Sequence, residues 1–162
     1  MSDLRIAEAT VDHAFGHAPG LVLYVWRGVV QPSTVQRLIA MAPKARNGAD
    51  GSAVGMLGIV TDDAPPPSAE SRRALADMLV QVDFLSASAL TFESGGFQGA
   101  MVRAVATGLN LLARPPFPHK VFPTVFAATH WLQRELATVD AQTREARGCE
   151  ALLQELRAAP HQ

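Results

Sequence analysis

Leu21-Val22-Leu23-Tyr24-Val25-Trp26-Arg27-Gly28 decides the fold class. Its first six residues are apolar without alternation and rich in β-formers. That is the pattern of a strand covered on both faces, which belongs to a mainly parallel sheet sandwiched by helices. Helical signals follow at once. Pro32 and Ser33 open a helix whose apolar stripe is Val35, Leu38, Ile39 and Ala42, and Pro43 limits its length. Ser33 and Gln36 have capping-box spacing.

The same alternation continues outward. Residues 53–61 read as a second buried strand around Val54, Met56, Leu57, Ile59 and Val60, and its glycines suggest close approach of a helix. After Asp62, Asp63 and three prolines, Ser68 caps a helix to about Asp83, with Ala74, Leu75, Met78, Leu79 and Val82 on one side. Residues 87–93 read as a third strand. An amphipathic helix then carries Phe97, Ala100, Met101, Ala104, Val105, Gly108, Leu109 and Leu112, and Pro115 and Pro116 stop it. Residues 119–123 are a last short strand, and Thr124 caps a closing helix bearing Ala127, Ala128, Trp131 and Leu132. Upstream, residues 11–17 are a leading strand with His13, Phe15 and His17 on one face, broken by Gly20. The expected fold is α/β: a four- to five-stranded, mainly parallel sheet with an antiparallel edge strand, flanking helices and right-handed crossovers, plus a C-terminal helical extension. The expected division is residues 1–138 as the α/β domain and 139–162 as an amphipathic helix and tail.

Composition narrows the function. The 162 residues are 48% hydrophobic and 18% charged, with a net charge of −1, enough apolar content for one well-packed domain. Basic and acidic side chains are spread evenly, so nothing points to nucleic acid or an anionic membrane. No apolar run approaches the ~18 residues of a membrane span. The first ten residues hold Asp3, Arg5 and Glu8 and no signal-like core. Cys149 stands alone, so no internal disulfide is expected. The expected compartment is the cytoplasm.

Reactive constellations are weak. Gly95, Gly96 and Gly99 make a possible anion-binding turn between a strand and a helix. The spacing is one residue short of the dinucleotide fingerprint, and no acid follows at ribose distance. His13 and His17 lie four apart on a strand and its loop, His119 reads as a sheet-edge residue, and His130 lies on a partly exposed helix face. No Gly-x-Ser-x-Gly elbow occurs. Asp62 and Asp63 sit at a strand's carboxyl end but have no apparent third partner. No metal, cofactor or catalytic residue is assigned, and the chain is not expected to be an enzyme.

Two surfaces remain. One is the loop with Asp62, Asp63, Ser68 and Ser71, read as partner-facing. The other is the tail, where Val139, Gln142, Ala146, Cys149, Leu153 and Leu156 follow 3-4-3-4-3 spacing with charges between them. This stripe either folds back on its own domain or serves as a docking or self-association helix. In the second case, removing residues 139–162 leaves the domain folded.

Residues 21–132 resemble a STAS-type domain, the fold of bacterial anti-sigma-factor antagonists. The likeness rests on element order and on Val121-Phe122-Pro123-Thr124 followed by Ala127-Ala128 and Trp131-Leu132. It implies a non-catalytic regulatory module acting through an unidentified protein partner in bacterial signalling. In that family a phosphoacceptor serine starts the helix after the central strand. Here the Asp-Ser-[Ser/Thr]-Gly motif is absent, and Ser68 takes the helix-capping place. The alternative is a binder of a small apolar ligand or lipid, with the helix from Phe97 to Leu112 walling a pocket.

Overall fold

A computed structural model describes residues 2–46, 52–93 and 113–162, with residues 100, 103, 104 and 108 between the last two segments. The described strands are β1 (Arg5–Ala9), β2 (His13–Ala18), β3 (Leu21–Trp26), β4 (Gly55–Val60), β5 (Ala87–Phe92) and β6 (His119–Phe122). They form one six-stranded sheet in sequential order. β1, β2 and β3 pair antiparallel, and β3 to β6 pair parallel. The helices are α1 (Pro32–Met41), extended by a 3-10 turn (Ala42–Ala45), then α2 (Ala69–Gln81), α3 (Val125–Val139) and α4 (Ala146–Arg157). Residues 100, 103, 104, 108 and 113 are also helical.

β3 is covered on both faces, as its sequence predicts. Leu21, Leu23 and Val25 enter one core with α3 and α4, while Val22, Tyr24 and Trp26 enter a second core with α1 and α2. The sequential order explains the two layers. Right-handed crossovers that always advance the same way along a sheet place their helices on one face, and α1 and α2 pack against each other there. The other face needs separate cover, which α3 and α4 supply.

The sheet has one strand more than the sequence suggests, because β1 was hidden. Its register slips between Ile6 and Glu8, and a bulge of this kind destroys the period-two pattern by which a strand is recognised. Gly16 allows β1 to lie against β2, since a Cβ there would fall 2.4 Å from the Arg5 carbonyl oxygen. The expected capping box at Ser33 does not form. Gln31 is the N-cap and makes no side-chain capping bond. Pro32 is well suited to the first helical position, so the N-cap falls two residues before Ser33, which is already inside the helix. Ser68 and Thr124 do cap their helices, accepting hydrogen bonds from the Ser71 and Ala127 amides.

Gly55 meets a packed helix as expected: a Cβ would lie 2.9 Å from Leu136 and 3.2 Å from Leu132, both on α3. Gly58 makes room for a neighbouring side chain instead, the Tyr24 ring on β3.

Candidate interaction rim

The carboxyl ends of the parallel strands form one rim of the molecule. Trp26 of β3 pairs with Val60 of β4, and Val60 with Phe92 of β5. Arg27, Thr61 and Glu93 are therefore the next residues in a row across that edge. Open α/β sheets bind ligands where the strand order reverses and splits the crossovers between faces. From β3 to β6 this sheet has no reversal, so its rim is made of loops laid side by side.

Two of these loops are stitched together by serines. The Ser71 amide donates to Ser68 Oγ at 3.1 Å, the Ser68 hydroxyl donates to Ser71 Oγ at 3.0 Å, and the Ser71 hydroxyl donates to the Val30 carbonyl at 2.6 Å. The last bond joins the start of α2 to the β3–α1 loop. The Ala64 amide donates to the Thr61 carbonyl and closes the turn that carries Asp62 and Asp63. Asp62, Asp63, Pro65, Pro66 and Ser68 are exposed, and Val29 is 52% exposed beside them. Ser71 departs from its expected place on the surface. It is buried at 2% exposure, because its hydroxyl is spent on Val30.

The tail stripe folds back on its own domain. Cys149, Leu153 and Leu156 are fully buried in the core shared with β3 and α3, and Ala146 is buried as well. Val139 ends α3 and is 55% exposed. Gln142 lies between the two helices, so the heptad-like spacing does not run along one continuous helix. Burial pushes the Cys149 thiol up to about 11, which removes its reactivity near neutrality. Beside it, at the opposite edge of the sheet from the rim, is a cavity of about 50 Å³ lined by Leu21, Ala53, Leu136, Gln142, Arg144 and Cys149 among others. It has room for a few waters. Gly95, Gly96 and Gly99 lie outside the described residues, as does most of the Phe97–Leu112 helix.

The sequence did not reveal a polar clasp between the β1–β2 hairpin and the middle of α1. Glu8 accepts two hydrogen bonds from Arg37, at 2.8 and 2.7 Å, and contacts His13 Nε2 at 2.6 Å. Arg37, then His13, hold the Glu8 carboxyl down at about 2. Thr10 Oγ1 lies 3.3 Å from His13 Nδ1, a contact that superficially suggests an activated nucleophile. The same oxygen, however, accepts from the Asp12 and His13 amides and so serves the hairpin turn. The clasp ties β1 and β2 to α1. No pairwise sequence signal marks it, because its members meet only through the hairpin.

His130 and His119 make local contacts within the fold. His130 stacks on Phe126 with ring centroids 4.0 Å apart and contacts the Phe126 carbonyl at 2.9 Å. His119 lies on the edge strand β6, as expected, with Nδ1 3.0 Å from Ser88 Oγ. No group of three metal-binding side chains converges among the described residues, and no described helix is long and apolar enough to cross a membrane.

Burial lowers His119 to about 4 from an ordinary 6.5, so the folded state favours neutral imidazole. The resulting stability is complete above pH 6.5 and declines as pH falls toward 4, where the unfolded chain gains a proton that the fold resists. A displacement of this size corresponds to about 3 kcal/mol. His17 is shifted the same way by burial, Lys44 and Arg5 and adds to the same window. Glu8 acts lower, between 4.5 and 2. Melting temperature against pH is expected to fall first below 6.5, and His119→Gln is expected to flatten that upper limb while leaving the lower one.

No family model matches this chain, and neither does any curated protein or solved structure.

Proposed function

We propose that this chain is a non-catalytic, STAS-like regulatory module that binds a protein partner on the rim formed by residues 27–31 and 61–68. The carrying observation is the Ser68–Ser71–Val30 hydrogen-bond relay, which makes two loops into one surface. That surface presents an exposed valine, two exposed prolines and two carboxylates. An apolar centre with a charged border is the usual anatomy of a protein interface. The resemblance of residues 21–132 to STAS domains supports the same reading. Of the two candidate serines, only Ser68 is exposed. A phosphate there would add about −1.5 to −2 charges at the start of α2, next to Asp62, Asp63 and Glu70.

The test is quantitative affinity capture from the source cell with four baits. A partner retained by the wild type is expected to persist with Val80→Asp, which alters an exposed valine on α2 away from the rim. It is expected to fall at least tenfold with Val29→Asp, as for a central interface residue, and to fall with Ser68→Glu. A retained set unchanged by both rim variants would refute the proposal.

A further inference from the structure

Three arginines in this molecule can be compared by what their guanidinium edges hold. Arg37 clasps Glu8 through Nε and Nη2. Arg157 clasps Glu93 through Nη1 and Nη2, at 2.5 and 2.8 Å. Arg27 uses only Nη1, which lies 2.7 Å from His161 Nε2. Its Nε and Nη2 are shielded from solvent and find no hydrogen-bond partner among the described residues. These are the same two atoms that hold a carboxylate in Arg37. An Nε/Nη2 edge is a fork of two parallel donors matched to an oxyanion.

A second donor stands beside it. The Thr61 amide donates to the Trp26 carbonyl at 3.0 Å, so Thr61 and Arg27 are adjacent across the strand ends. Strand alternation sends both side chains toward the α3–α4 face, the face that Val25 and Ile59 enter two residues earlier. The contact of Arg27 with His161, just beyond α4, agrees. Thr61 is 7% exposed, and its hydroxyl likewise finds no partner among the described residues. A buried hydroxyl and two buried N–H groups are rarely left unsatisfied without a reason.

A second cation lies near the fork, while Asp62 and Asp63 follow Thr61 as exposed residues. Arg157 is close enough to depress the Arg27 pKa, after burial, and the carboxylate of Glu93 is already held by Arg157 in both oxygens. Asp12 packs over Gly28, where a Cβ would lie 2.0 Å from its Oδ1, and makes no ion pair with Arg27 among the described residues.

We propose that Arg27 and Thr61 form a phosphate-binding site at the carboxyl ends of β3 and β4. The Arg27 fork takes two oxygens, and the Thr61 hydroxyl takes a third. A carboxylate has no third oxygen to offer, which favours a phosphoryl group. The tail holds the site shut: His161 engages Arg27, and the Gln162 amide donates to the Ala9 carbonyl at 2.9 Å. Entry of the ligand lifts this short segment. Arg27 and Thr61 begin the two rim segments, but their side chains face α3 and α4, on the side of the sheet that Val25 and Ile59 enter; Val29→Asp leaves both donors in place, so the two readings fail separately.

The test titrates the intact protein with inorganic phosphate, glycerol phosphate and acetate against chloride at matched ionic strength, following melting temperature and heats of binding. Saturable stabilisation by phosphate is expected, with little response to acetate. A comparable response to glycerol phosphate would identify a phosphomonoester as the ligand class, and a response to inorganic phosphate alone would identify the free ion. Arg27→Lys keeps the charge but loses the fork, and is expected to weaken binding at least tenfold. Thr61→Val is expected to weaken it about threefold or more and decides the matter where Arg27→Lys does not fold. Arg73→Lys, on the exposed side of α2, is expected to change nothing. No saturable response to either phosphate, equal binding of acetate, or undiminished affinity in the folded Arg27 and Thr61 variants would overturn the assignment.

Discussion

Truncation after Val139 is expected to unfold the protein. α4 contributes Cys149, Leu152, Leu153 and Leu156 to the core, and Ala159 follows just beyond it. Beneath them lie Leu21, Leu23 and Val25 of the central strand, all at 1% exposure or less. Shortening one buried leucine to alanine typically costs 2–5 kcal/mol. Removing three leucines at once, and wetting the strand they cover, exceeds the roughly 5–15 kcal/mol that holds a domain of this size together. The truncated chain is expected to lose its cooperative thermal transition and its amide-proton dispersion. Leu153→Ala alone is expected to lose about 3 kcal/mol in chemical denaturation while keeping the fold. A chain ending at residue 139 that melts cooperatively within a few degrees of the parent would show that α4 is an appendage.

Gly58→Ala is expected to cost about 3 kcal/mol, at the upper end of ordinary overpacking. The added Cβ would lie 2.1 Å from Cζ, 2.3 Å from Cε2 and 2.6 Å from Oη of Tyr24. Tyr24 is 3% exposed and belongs to the core with α1 and α2. Its ring cannot swing into solvent without opening that core. All three clashing atoms lie beyond the reach of a leucine. Gly58→Ala is therefore expected to cost much less in a Tyr24→Leu background, and a double-mutant cycle reads the difference as coupling of at least about 1 kcal/mol. Equal costs in the two backgrounds would mean that the sheet backbone moves and the ring does not.

What was legible in the sequence follows from the range of each interaction. The continuous apolar run of β3, the Ser68 and Thr124 caps and the stripes of α1 and α2 are local features, set by residues within a few positions of one another. Each stands in the structure where the residues place it. β1 was illegible because a bulge breaks its alternation, and the Ser33 capping box failed because Pro32 competes for the helix start. The Glu8–His13–Arg37 clasp and the Arg27–Thr61 juxtaposition join residues whose neighbourhood exists only after the strands have aligned.

The tail shows where local pattern stops. Its periodicity identifies an amphipathic helix but leaves open which surface satisfies it. Strand order answers that question. With every crossover between β3 and β6 advancing the same way, the sheet's second face is uncovered until α3 and α4 close it, so the apolar stripe of α4 is spent inside its own chain. The burial of Ser71 and the exposure of Ser68 were settled in the same way, by which loop the folded sheet brings beside the start of α2.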